Sequence, residues 1–293
     1  MNRPRAILIA GPTASGKSQL AMDLARARDG VIINADSMQV YRELRILTAR
    51  PSAADEAALP HRLYGHVSGM DDYSVGRWLE DVTAILGDAE AAGRLAVIVG
   101  GTGLYFKALL EGLSPIPDIP VEIRGHWRGL GDELSANALY ELLRERDPVM
   151  ADRLAPSDRQ RLVRALEVMD ATGKSLAEWQ DEPGAPLLRL EDVEAVVVAP
   201  EREVLYDRCN RRFDEMMEAG GLEEVQALAA LELAPDRPIM RALGVRQLLA
   251  VVDGRLARDA ALAQAKTETR RYAKRQLTWL RRNMIAWNWH FQQ

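Results

Sequence analysis

Residues 11–18, GPTASGKS, follow the apolar run AILIA at 6–10 and lead into a stretch where Leu20, Ala21, Leu24 and Ala25 share one helical face. Gly11, Gly16, Lys17 and Ser18 have the spacing of a phosphate loop. In such a loop backbone N–H groups surround phosphate oxygens, a lysine adds a point charge and a hydroxyl binds Mg²⁺. No other feature constrains the fold as much, because the loop works only between the carboxyl end of a buried strand and the start of a helix.

Two further apolar runs repeat the pattern. VIINADS at 31–37 and LAVIVGGTG at 95–103 read as buried strands, the second entered from the helical GRWLEDVTAILGDAEAAG. Alternating strands and helices predict an α/β fold, a parallel sheet flanked on both sides by helices. Ligands of such sheets lie beyond the carboxyl ends of the strands. Three segments fall there: the loop from Gly11, NADSMQ from Asn34 and GGTG from Gly100. SPIPDIP at 114–120 has three prolines in seven residues and ends regular structure. From Val121 to about Asp181 the chain is helical by pattern, and SANALYELLRERDP and SDRQRLVRALEVMDATG each begin at a serine cap and close on a breaker. VEAVVVAP at 193–200 reads as a strand that rejoins the sheet. The expected organisation is residues 1–117 as the first part of an α/β core, 118–190 as a helical insertion domain, and 191–293 as the second part of the core with basic C-terminal helices.

The loop alone does not name its ligand. An ATPase adds a buried strand ending in an aspartate for Mg²⁺, whereas LAVIVGG ends in glycines and the only strand-end acid is Asp36. Asp36 could hold metal, cap a turn or act as a general base. The single cysteine, Cys209, precludes an internal disulfide, and His61, His66, His126 and His290 lack metal-ligand spacing. Zinc and thiol-redox chemistry are therefore set aside. AILIA is too short for a leader's apolar region, and no stretch approaches the roughly 18 apolar residues of a membrane span, so a cytoplasmic protein is expected. At 293 residues, 47% hydrophobic and 28% charged, there is chain for a core and an attachment.

The net charge is −5, yet residues 266–283 carry Lys266, Arg270, Arg271, Lys274, Arg275, Arg281 and Arg282 against Glu268, a balance of 7 − 1 = +6. Positive charge concentrated on one element of an acidic protein points to a polyanionic partner. Helical spacing puts Arg271, Lys274, Arg275, Thr278, Arg281 and Arg282 on a broad outer face and turns Tyr272, Leu277, Leu280 and Met284 inward.

GPTASGKS, NADSMQVYRELRILTARP, YSVGRW, VIVGGTGLYFKALLEGLSP, DRQRLVRALEVMDATGKS and TETRRYAKRQLTWLR stand in the order and at the approximate spacings of the tRNA dimethylallyltransferases (tRNA isopentenyltransferases). The chain resembles that family from about Arg5 to Arg282. The resemblance implies a P-loop kinase-like sheet with a helical insertion. It also implies a reaction: transfer of the dimethylallyl group of dimethylallyl diphosphate to N6 of adenosine 37, beside the tRNA anticodon, with release of diphosphate. There are departures. Leu47 stands where the family usually has glycine, Arg50 where it has lysine and Val245 where a tyrosine is common; all three are expected beside, not within, the phosphate and base positions.

By this resemblance Gly11, Pro12, Thr13, Ala14, Ser15, Gly16, Lys17 and Ser18 bind the substrate diphosphate, with Thr13 and Lys17 donating to it and Ser18 coordinating Mg²⁺, and Arg212 in NRRFDEMM faces the same leaving group. The chemistry agrees. Diphosphate leaves as an anion while C1 becomes cationic and allylic, so donors preset for departing charge serve without ATP. Adenine's exocyclic amine is a poor nucleophile and needs its proton taken as the bond forms; Asp36 matches the family's aspartate for this purpose, and an ordinary carboxylate is ionised at neutral pH. Thr102 is expected to orient the base or the phosphate. A base in a loop is cheaper to extrude than one in a duplex. The tRNA anticodon stem-loop is expected against Asp36, Ser37, Met38, Gln39, Thr102 and Arg124, then Gln160, Arg161, Leu162, Val163 and Arg164 beside Arg159, and finally Arg241, Arg246, Arg271, Lys274 and Arg275. A monomer without membrane attachment is expected. The alternatives from other classes are a P-loop small-molecule or nucleoside kinase, and a nucleotide-switched RNA-binding protein without chemistry.

Overall fold

The computed structural model describes residues 4–182 and 184–291. Strands β1 (Ala6–Ala10), β2 (Gly30–Asn34), β3 (His61–Arg62), β4 (Leu95–Gly100), β5 (Val193–Val198) and β6 (Asn288–His290) form one sheet in the order β3-β2-β4-β1-β5-β6. Every pairing is parallel. The run at 193–198 does rejoin the sheet, beside β1. The strands are apolar throughout because both faces are covered: in β1, Ala6, Leu8 and Ala10 enter one core while Ile7 and Ile9 enter another.

The helices are α1 (Lys17–Ala27), α2 (Ala53–Ala58), α3 (Val75–Ala91), α4 (Gly103–Glu111), α5 (Val121–Glu133), α6 (Ala136–Arg146), α7 (Pro148–Ala151), α8 (Arg159–Thr172), α9 (Leu176–Asp181), α10 (Arg202–Glu218), α11 (Gly221–Ala229), α12 (Val245–Val252) and α13 (Arg258–Asn283). α1 covers one sheet face through Ala21 and Ala25. The opposite face is covered by Trp78 and Val82 of α3, Phe106 and Leu109 of α4, and Ala273, Leu277 and Leu280 of α13. A separate core under residues 40–47 holds Leu44 and Leu47 against Phe213, Val225, Val245 and Leu248. No helix among the described residues is long and apolar enough to cross a membrane.

The chain divides into two compact units, Met1–Leu110 with Leu187–Gln293, and Glu111–Pro186. The second has its own core, in which Trp127, Leu139, Leu143, Leu162 and Leu166 are buried. Its two chain passages run side by side at Gly112 and Gly184, where a Cβ on Gly112 would lie 2.5 Å from the Gly184 carbonyl carbon. In that unit Ser135 caps α6 as expected, but α8 is capped by Asp158, not by the serine before it. The Asp158 side chain accepts from Arg161 N, and a carboxylate there also meets the positive end of the helix dipole.

The sheet register decides where the site forms. Ala10 pairs with Gly100, and Asn34 with Val99, so β1, β2 and β4 end level with one another. Gly100 is needed for this closure, because a Cβ there would lie 2.0 Å from the Ala35 carbonyl oxygen.

Candidate active site

The loop between β1 and α1 curls through left-handed backbone at Ala14 (φ 62°) and Gly16 (φ 90°), and Gly16 caps α1. Such turns gather successive N–H groups into a concavity suited to anions. Ser15 N donates to Pro12 O at 3.2 Å, and Lys17 Nζ folds back to donate to the same oxygen at 3.1 Å. Burial lowers Lys17 to about 8, with Asp36 pulling it up and Arg212 pushing it further down. Its ammonium is thus a desolvated cation that a bound anion would stabilise. The Ser15 hydroxyl is buried without a partner among the described residues and lines the same cavity.

Asp36 follows β2 and is fixed from two sides. The Asn34 carboxamide accepts from Asp36 N at 2.9 Å and donates to Asp36 O at 2.9 Å. Asp36 Oδ1 accepts from Met38 N at 2.9 Å, so this residue caps a turn. Its other oxygen, Oδ2, lies beside Gly101, 3.5 Å from where a Cβ would stand. Turn capping and proton acceptance are therefore compatible, one oxygen serving each. Thr102 Oγ1 accepts from Ser37 N at 3.0 Å and donates to Ser37 Oγ at 3.3 Å, which commits its hydroxyl to holding the Asp36 turn.

Sequence reasoning missed the aromatic groups around Asp36. The hydroxyls of Tyr64, Tyr105 and Tyr272 are all pushed well above their usual range, first by burial and then by the Asp36 charge. They remain neutral throughout the physiological range. Tyr105 stacks on Trp78 with centroids 4.4 Å apart, and Trp78 Nε1 donates to Asn34 O at 2.8 Å. Tyr105 was within a recognisable motif, but period alone assigned it to a helix and not to a site.

A cavity of about 640 Å³ opens beside the loop, lined by residues 14–19, Met22, Ile32, Tyr64 and Val99, and by Arg208, Arg211 and Arg212 of α10. Lys17, Arg50 and the three α10 arginines outnumber Asp55 and Glu215 on its wall. Cationic groups beside apolar ones suit an anion carrying a short hydrocarbon. Thr13, Asp36 and Thr102 are not among its lining residues. Burial disfavours the Arg212 charge, with Cys209, Asp36 and Glu215 opposing. Asp214 pairs instead with Lys266 at 2.6 Å, which leaves Glu215 as the neighbouring acid that acts on Arg212. The departures divide. Leu47 and Val245 are buried in the second core, while Arg50 lines the cavity and donates to the Tyr41 and Arg42 carbonyls at 3.3 Å.

The IPP transferase family profile matches residues 39–283, and the Isopentenyl transferase profile matches residues 4–69. The chain belongs to the IPP transferase family. It is 54% identical over 285 residues to the tRNA dimethylallyltransferase of Azorhizobium caulinodans, covering 97% of this chain and 91% of that one. It is 52% identical to that of a Chelativorans species, covering 95% and 96%. Among solved structures, the tRNA isopentenylpyrophosphate transferase of Bacillus halodurans superposes with a TM-score of 0.70 at 32% identity, covering 99% and 90% of the two chains. A eukaryotic dimethylallyltransferase acting on tRNA superposes at 0.80 with 28% identity, covering 94% and 69%.

For an IPP transferase with a net negative charge, the cationic surfaces are informative. Arg271, Lys274, Arg275, Arg281 and Arg282 are exposed along α13, and Arg275 lies over the Tyr272 ring at 5.6 Å. Lys266 and Arg270, counted in the same basic stretch, instead tie α13 to α10 through Asp214 and Asn210. Arg241 and Arg246 are exposed. In the second unit Gln160 and Arg161 are exposed and Arg124 and Val163 half-buried. Leu162 is fully buried and its N–H is committed to Asp158 O at 3.0 Å, so it belongs to the core of that unit. Arg159 donates to the Gly131 and Leu134 carbonyls at the end of α5, and Arg164 pairs at 3.1 Å with the buried carboxylate of Glu167. Gln39 spends its amide on the Thr48 and Ala49 carbonyls at 2.8 and 3.0 Å.

Proposed function

We propose that the protein transfers the dimethylallyl group of dimethylallyl diphosphate to N6 of adenosine 37 in tRNA and releases diphosphate, acting in the cytoplasm as a monomer. The observation that carries this reading is the level ending of β1, β2 and β4, which brings an anion-binding loop and a fixed carboxylate to one place. The C1–O bond breaks and its electron pair leaves with diphosphate, toward the loop N–H groups, Lys17 and Arg212. The N6–C1 bond forms, and the N6 proton passes to Asp36 Oδ2. Neutral Tyr64, Tyr105 and Tyr272 bound this region without supplying a competing nucleophilic phenolate.

Ser18 stands exposed at the second position of α1, and the described residues hold no cluster of three or more metal-ligating side chains. Ser18 would hold Mg²⁺ through its hydroxyl, an oxygen donor of the kind this ion takes. When bound, the ion supplies neutralising charge to the departing diphosphate.

The deciding experiment combines purified protein, tRNA, Mg²⁺ and labelled dimethylallyl diphosphate without ATP. Modified adenosine should form, and inorganic diphosphate should compete with the donor. A requirement for ATP, or no competition, would return the loop to a kinase-like role.

The tRNA grip is assigned to the exposed cations of α13 with Arg161, Arg241 and Arg246. Because phosphate contacts release counterions, affinity should fall with salt, and Arg275→Ala or Arg161→Ala should each reduce the slope of log affinity against log salt by about one. Filter binding over about 50–200 mM salt measures it. Unchanged slopes in both variants would make these residues a merely solvated surface. Arg164→Ala differs, since it also strips the buried Glu167 of a partner and should lower the unfolding temperature.

A further inference from the structure

We infer that Gln276 is a positioning residue for the transfer, holding the phosphate loop and the Gly101 turn in mutual register. The inference rests on reading the loop as a diphosphate site. Gln276 lies on the inner face of α13, 7% exposed, among the apolar residues Ala273, Leu277 and Leu280. Its Oε1 accepts from Thr13 N at 2.9 Å, and its Nε2 donates to Gly101 O at 2.9 Å. A primary carboxamide offers an acceptor and a donor in one plane, which an apolar residue or an ionised carboxylate does not.

The two contacts act on different parts of the site. Accepting from Thr13 N fixes the Pro12–Thr13 peptide plane, whose other end, Pro12 O, accepts from Ser15 N and Lys17 Nζ within the loop. Donating to Gly101 O turns that carbonyl toward Gln276, at the point where Asp36 Oδ2 also approaches Gly101. Gly101 admits the carboxamide only because it lacks a side chain, since a Cβ would stand 2.3 Å from Nε2. Nothing in this geometry places Gln276 on substrate. Its effect passes through Thr13 and Gly101, and it joins them to the helix that carries Arg271, Lys274 and Arg275.

The test uses the full chain with Gln276→Ala and Gln276→Glu. Calorimetry reads the affinity for inorganic diphosphate with Mg²⁺, single-turnover assays read transfer from about pH 5 to about pH 8, and thermal unfolding and tRNA affinity are followed in parallel. Gln276→Ala should bind diphosphate about 10-fold more weakly and transfer about 10²-fold more slowly, with tRNA affinity little changed. The glutamate variant gives a readout that a purely structural role would not move. Protonated, it again accepts from Thr13 and donates to Gly101; ionised, it lacks the donor. Its rate relative to wild type should therefore rise as pH falls. A ratio independent of pH, or wild-type diphosphate affinity and turnover in the alanine variant, would overturn the inference. If the alanine variant does not fold, the pH-dependent ratio of the glutamate variant decides. Wild-type protein that binds diphosphate but modifies no tRNA would refute the proposed reaction while leaving the diphosphate arm to judge Gln276. Wild-type protein that binds no diphosphate would remove both.

Discussion

Lys17→Ala is expected to lower transfer by about 10²- to 10³-fold, the range for losing one preset donor at a site of developing charge. The mature charge on diphosphate exists only as the C1–O bond breaks, so the loss should fall on kcat as well as on donor affinity, with tRNA binding unchanged. The same residue sets a pH limit. In the free protein Lys17 is held at about 8, charged below that pH and neutral above it. The kcat/KM for dimethylallyl diphosphate should therefore fall above about pH 8 in wild type. Bound diphosphate favours the ammonium, so the corresponding limb of kcat should lie at higher pH. Lys17→Ala should lack the limb. A limb that persists in the variant, or transfer near the wild-type rate, would detach Lys17 from the leaving group.

Asp36→Asn should reduce single-turnover transfer by about 10²-fold or more, because the step it removes is proton acceptance from a weakly nucleophilic amine. Asparagine keeps an oxygen to accept from Met38 N, so the turn, the unfolding temperature and tRNA affinity should hold. This separates the two oxygens of one residue: the cap survives and the base does not. There is a second, coupled result. The Asp36 charge pulls the Lys17 pKa up, so its removal should move the basic limb of donor binding to lower pH. Turnover close to wild type would assign Asp36 to turn capping alone.

The parts of this fold that were legible in the chain are those whose signal is local and repeated. β1, β2, β4 and β5 announce themselves by apolar runs because each is covered on two faces, and the phosphate loop carries its own spacing. β3 and β6 have two and three residues, too few to show a period. The cap of α8 was misplaced by one position because adjacent serine and aspartate compete for it, and only the backbone angle settles which is used. Charge counting along α13 could not tell that Lys266 and Arg270 face α10.

Gln276 shows the limit most plainly. The inward stripe read from the sequence, Tyr272, Leu277, Leu280 and Met284, did not include it, and its partners lie 263 and 175 positions away, a distance no periodicity encodes. Arg50 is similar: its substitution for lysine was noticed, while its place on the cavity wall depends on how residues 49–51 fold back toward α1. Of the tyrosines only Tyr272 was read as inward-facing, and the influence of one carboxylate on all three was not legible.

The helical excursion leaves the sheet-bearing unit after Leu110 and returns at Leu187, and Leu187 N and Leu188 N both donate to the Leu109 carbonyl, at 3.0 and 3.1 Å. To the sheet, then, this long detour has the same boundary condition as a tight turn: two ends pinned at one oxygen. Lengthening such a detour carries only a slowly growing entropic cost. Under the proposed reading, its exposed residues such as Arg161 can change to suit different RNA backbones while the level strand ends are left untouched. That part of the proposed grip is written apart from the proposed chemistry, whereas α13 carries both, its exposed cations on one face and Gln276 on the other.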